Sequence, residues 1–321
     1  MKLLAFLVLL SSPLVAAEPR FVLEWGERGT KPGQFHSPIH IAIGPKDEVF
    51  VADLNNARVQ RFTTEGKFVA EFELPIDQPP RKSTMVGGFA VDGEHLYVAY
   101  MIQHKLGVFT HAGKPVREWG KKGTGDGEFH QPGGILLRKD GTILVVDQCN
   151  HRLQVFDSNG KFLRKWGQHG SKPGQFGGLE PAGSRFAGPH FLAQDSKGRL
   201  YTTEGVLGRV QQFDADGMPL AAWGSKTAEP GAFGEYTFGM LKNTFGPIGV
   251  FVDAKDRVWV SSLNDRVQGF TADGTFLLKL EGNGTKDDKF LHPHGMAQDS
   301  AGHFYVADAG HQRIVKFAMG K

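Results

Sequence analysis

Two histidines stand in matching frames, His190 in GPHFLAQD and His294 in HPHGMAQD. Each follows a proline and opens a short, largely apolar run. Neutral imidazoles are common ligands of zinc, and two that project into one channel can share such an ion; the cofactor expected is a divalent metal, zinc or calcium. His40, in SPIHIAI, stands one position further on and is the candidate third ligand. Four more side chains break an otherwise regular pattern and are candidates to contact a ligand: Tyr100, Arg185, Glu204 and Tyr236. Each histidine has an alternative role as a hydrogen-bonded loop residue, as do His36, His130 and His292, which stand shortly before a proline.

The elements that hold these residues are repeats. VFVADLNNARVQRF ends at Phe62, LYVAYMIQHKLGVF at Phe109 and ILVVDQCNHRLQVF at Phe156, each 47 residues after the last. LYTTEGVLGRVQQF ends at Phe213, VWVSSLNDRVQGF at Phe270 and FYVADAGHQRIVKF at Phe317. Alternating apolar residues and glycine-containing turns make each of the six units a meander of four short strands. A period of about 40–50 residues with this content denotes a β-propeller blade. The expected fold is all-β, a six-bladed propeller of four-stranded antiparallel blades. The sixth unit stops at RIVKFAMGK, after its third strand, and RFVLEW at 20–25 supplies the fourth. That exchange closes the ring and covers an edge that would otherwise be unpaired. Strand one of each blade then lines the channel. The loops between strands two and three share a face with those leading into strand one, and ligands are expected there.

Recurrence separates scaffold from site. Asp53, Asp147 and Asp308 share one repeat position, and Arg58, Arg152, Arg209, Arg266 and Arg313 share another. Asp at the end of strand two and Arg at the start of strand three are spaced for a charge-assisted hydrogen bond that braces the loop between them. The recurring phenylalanines, with Trp25, Trp119, Trp166 and Trp223, are expected in the core. Glu204 and Tyr100 depart from the Asp position, and Lys105 departs from the Arg position. Two inserts, GGLEPAGSR before blade four and GEYTFGMLKN before blade five, break the period and bring Arg185, Tyr236 and Phe238 to the ligand face.

Composition narrows the setting. Lys2, the apolar LLAFLVLL and the small residues Val15 and Ala17 read as a signal peptide over 1–17, with the propeller over 18–321. A secreted or periplasmic protein is expected, without a membrane span and as a monomer. One cysteine, Cys149, excludes an internal disulfide. A formal net charge of +3 is too balanced for a nucleic-acid partner.

VADLNNARVQRF, VVDQCNHRLQVF and VADAGHQRIVKF resemble NHL repeats, whose pattern is V-x-D-x-x-N-x-R-[VI]-x-x-F. The resemblance covers nearly the whole propeller and implies its fold, while NHL propellers serve as enzymes, RNA binders and protein-binding modules. The frames of His190 and His294 resemble two of the three zinc-histidine contexts of the peptidyl-hydroxyglycine amidating lyases. The third context falls at Val86, and the blade-three loop DQCNHR has no tyrosine where that family has its catalytic one. The expected function is a module that binds a peptide, glycan or protein at the channel mouth. The alternative is a metal-dependent lyase or hydrolase with His190 and His294 on the metal.

Overall fold

A computed structural model describes residues 19–75, 85–178, 188–237, 244–280 and 289–320. The 1–17 leader and Arg185 lie outside them, as does Phe238. Six four-stranded antiparallel sheets form a ring, a six-bladed β-propeller. Blade one runs Pro38–Ile43, Val49–Asp53, Arg58–Phe62 and Phe68–Glu73 from the channel outward. The innermost strands of the next five blades are Val86–Val91, Pro132–Leu137, Leu192–Gln194, Pro247–Val252 and Pro293–Gln298.

The strand patterns follow from having a neighbour on each side. A second strand such as Ile143–Asp147 is buried at every position, because both faces of the sheet pack on other blades. A fourth strand such as Phe162–Trp166 lies on the circumference and is only partly covered. The strand-four tryptophans correspondingly lie half-buried between blades, not in the deep core. The Trp25 ring covers Gly66, where a Cβ would come within 2.8 Å of it. Gly66 has φ +73°, a conformation that suits glycine in the turn between strands three and four. Trp119, Trp166 and Trp223 cover Gly160, Gly217 and Gly274 in the same way.

Blade six consists of Pro293–Gln298, His303–Asp308 and Arg313–Ala318, with Arg20–Trp25 as its outer strand. Phe21 pairs with Phe317 and Trp25 with Ile314. Arg313 reaches Glu24 at 2.9 Å, as Arg58 reaches Glu71 at 2.8 Å within blade one. Arg20–Trp25 thus reproduces the strand pairing, the arginine–glutamate pair and the tryptophan cover of a fourth strand. Deletion of residues 18–26 bares the edge of Arg313–Ala318 and uncovers Gly66, so calorimetry should find a melting temperature lower by many degrees. A deletion variant as stable as the parent would contradict the closure.

Candidate functional site

A repeated clasp shapes the face on which the candidate residues were expected. Asp147 Oδ1 accepts the backbone N–H of His130 at 2.7 Å. Its Oδ2 accepts from Asn150 at 2.9 Å, Arg152 Nε at 2.7 Å and Gln154 Nε2 at 3.0 Å. Arg152 then donates to the carbonyls of Thr124, Gly125 and Glu128, in the segment that leads into strand one. Asp53 and Arg58 repeat the arrangement in blade one, and Asp308 and Arg313 keep its ion pair in blade six. The clasp joins two loops rather than bracing one. The glutamines were not anticipated, although Gln60, Gln154, Gln211 and Gln268 all stand two residues after the arginine. Each accepts a glycine N–H and donates to a carbonyl of the same leading segment.

Two of the expected ligand residues are scaffold instead. Glu204 is fully buried and holds Arg209 Nε at 2.7 Å and Gln211 at 2.7 Å, so it serves as the blade-four clasp. Burial pushes its carboxyl up, against Arg209, which holds it down. Tyr100 is buried with Ile39, Phe50 and Val86 between blades one and two, and its strand partner Lys105 pairs outward with Glu118 at 3.0 Å. Tyr236 lies in a two-residue strand, Tyr236–Thr237, paired with Thr244–Phe245 in the blade-five insert.

The three histidines stand at the start of inner strands, and His294 acts electrostatically on both His40 and His190. There the inner strands approach so closely that Gly134 N–H donates to the His190 carbonyl at 2.8 Å. A Cβ on Gly133 would stand 2.6 Å from the same oxygen, which is why blade three has glycine there. Ser261 Oγ donates to the His294 carbonyl at 2.6 Å and fixes the neighbouring blade. His190 is buried, and its Nδ1 accepts from Gln148 Nε2 at 2.6 Å, which puts the ring proton on Nε2. The His294 Nδ1 donates to the His292 carbonyl at 2.9 Å, which leaves the lone pair on Nε2. The two rings are therefore opposite tautomers. His40 packs against Phe191, from the blade across the ring, with centroids 4.8 Å apart and the rings tilted by 40°. Phe191 was not singled out from the sequence, where it reads as one more apolar strand residue. The pair also lines a channel cavity of about 210 Å3, with Phe89, Ile135, Val250 and Met296 among its walls.

Burial holds all three imidazoles neutral. It lowers His40 to about 3, with His294 adding to the effect and backbone bonds to Val86 and Gly87 opposing it. Burial, then His294, lowers His190 to about 4. Burial lowers His294 to about 4 against the bond to the His292 carbonyl. A shared zinc needs a lone pair from each ligand, and the His190 lone pair is occupied by Gln148. Among the described residues no three His, Cys, Asp or Glu side chains are grouped to hold a metal ion. In this arrangement His190 Nδ1 is engaged by Gln148 and is not offered to a metal.

The NHL repeat model matches residues 129–156 and 290–317, the cores of blades three and six. The chain is 26% identical over 130 residues to Protein brain tumor of Drosophila melanogaster, covering 39% of this chain and 12% of that protein. It is 30% identical over 143 residues to the peptidylglycine alpha-amidating monooxygenase of Rattus norvegicus, covering 40% of this chain and 14% of that one. Virginiamycin B lyase from Staphylococcus aureus has a similar fold, with a TM-score of 0.56 at 16% identity over 88% of this chain and 84% of that one.

The depressed histidines make stability depend on pH. Their folded values lie below the ordinary 6.5, so the fold binds fewer protons than the unfolded chain. The stability tied to the neutral rings is complete above pH 6.5 and is lost as pH falls from there towards 4. The melting temperature of the parent should fall more steeply through that window than that of a His40→Gln, His294→Gln variant. His151, lowered to about 4 mainly by burial, contributes equally to both curves. Parallel curves would contradict the assignment.

Proposed function

Because this chain is an NHL-repeat propeller whose channel mouth gathers three neutral imidazoles, we propose that it is a binding module for an uncharged polar group of a peptide, glycan or protein ligand. The observation that carries this reading is the opposite tautomers of His190 and His294. A hydroxyl or an amide both donates and accepts, and it matches such a pair without needing a charge. Burial of the rings strengthens each bond by excluding water. His40 and Phe191 line the channel cavity and offer an imidazole and a phenyl against which a sugar ring or a peptide side chain can pack. The leader-like first 17 residues favour a ligand outside the cytoplasm.

A metal-dependent lyase is the second reading, and it rests on the similarity to the amidating monooxygenase. The His190 tautomer and the valine at Val86 count against it.

Arrays of peptides and neutral glycans test the first reading. The parent should retain a ligand that a His190→Gln, His294→Gln variant binds about tenfold more weakly, the equivalent of about 1.4 kcal/mol. Equal binding by parent and variant would place the ligand elsewhere. Zinc titration of the parent, followed by calorimetry, tests the second. Stoichiometric uptake abolished in the variant would favour the metal reading over the hydrogen-bonding one.

A further inference from the structure

Among the described residues, blade five keeps the donors of the clasp and lacks the acceptor. Ser262 stands opposite Arg266 in the strand register, as Asp147 stands opposite Arg152. The Ser262 hydroxyl is fully buried and has no partner among the described residues. Arg266 donates Nη1 to the Ala232 carbonyl at 3.0 Å and Nη2 to the Ala228 carbonyl at 3.2 Å. Its Nε–H, which meets a carboxylate in four other blades, has no acceptor among the described residues.

The other donors are also in place. Asn264 precedes Arg266 by two residues, as Asn150 precedes Arg152, and its amide is not bonded to a carboxylate. Gly234 follows Phe233 as His130 follows Phe129, yet its N–H donates to no acceptor among the described residues. Gly234 and Asn264 face each other so closely that a side chain on Gly234 would collide with the Asn264 amide. The adjacent carboxylate, Asp265, is turned away and accepts the His292 N–H at 2.8 Å. Arg266, like Arg209, is half-buried, whereas Arg58, Arg152 and Arg313 are buried, so it can be reached from solvent.

A partly buried guanidinium without its counter-ion is destabilising, and an anion in the missing position relieves that. We propose that blade five binds a carboxylate from outside the chain, which takes the place that the Asp side chain fills in the other blades. It accepts from Arg266 Nε, the Asn264 amide and the Gly234 N–H, with the Ser262 hydroxyl as a fourth donor. The site lies on the same face as the histidines but does not depend on them, so its success or failure is separate from that of the channel-mouth reading.

Thermal unfolding with acetate as the probe tests the proposal, at constant ionic strength set with a bulky sulfonate. Acetate should raise the melting temperature of the parent. Ser262→Asp carries its own carboxylate, so it should melt higher than the parent without acetate and show no further rise with it. Arg266→Gln should lose the acetate response without needing a new ion pair to fold. No rise in the parent, or an equal rise in both variants, would overturn the proposal. Triglycine distinguishes the sources. Its free acid acting at lower concentration than acetate assigns the site to a peptide terminus, and action at the same concentration assigns it to small free carboxylates. A rise with the triglycine amide would overturn the carboxylate assignment.

Discussion

A carboxylate removed from water has to be surrounded by donors, and that requirement organises one face of this propeller in four of its six blades. Asp147 draws in a backbone N–H, an asparagine, an arginine and a glutamine. Its arginine then gathers carbonyls from the segment leading into strand one. The loop after strand two and the segment before strand one are thereby held as one body. The left-handed residue that closes the loop, Ala57 in blade one and His151 in blade three, turns the chain so that the arginine meets the carboxylate. Strand one inherits its position from this clasp, and the channel mouth inherits its shape from strand one.

The channel shows the converse. Six inner strands crowd until backbone meets backbone, and glycine occupies positions such as Gly133 for that reason. Into this crowded space the chain places imidazoles at positions where other blades have Ile39, Val86 or Ile248. Buried imidazoles lower stability in acid. Their fixed tautomers give the mouth a defined pattern of donor and acceptor, which is what a selective contact requires.

Much of this was legible because each blade is a copy of the others. The six units, the closing strand RFVLEW and the Asp–Arg pairing all follow from aligning the chain with itself. Comparison by position also misled. Glu204 looked irregular, but one extra methylene still lets its carboxylate reach Arg209. Tyr100 occupies a polar position in the alignment, yet blade two packs it into the apolar cluster with Phe50. The clasp glutamines recur as clearly as the arginines and were missed because a neutral amide carries no obvious chemistry. The gap at Ser262 was hidden for a related reason. A serine at the end of a strand attracts no notice until three neighbouring donors, Arg266 Nε, the Asn264 amide and the Gly234 N–H, are seen to lack a carboxylate among the described residues. The packing of His40 against Phe191 joins blades one and four across the ring, and no periodicity within a blade encodes it.

The clasp is tested most directly by the unfolding free energies of Arg152→Ala and Arg266→Ala. Arg152→Ala leaves Asp147 buried without its cation and should cost about 3–5 kcal/mol. Among the described residues Arg266→Ala leaves no clasp carboxylate behind, only two carbonyls that lose a donor, and it should cost clearly less. Equal costs, or an Arg152→Ala variant as stable as the parent, would contradict the view that a buried carboxylate holds this face together.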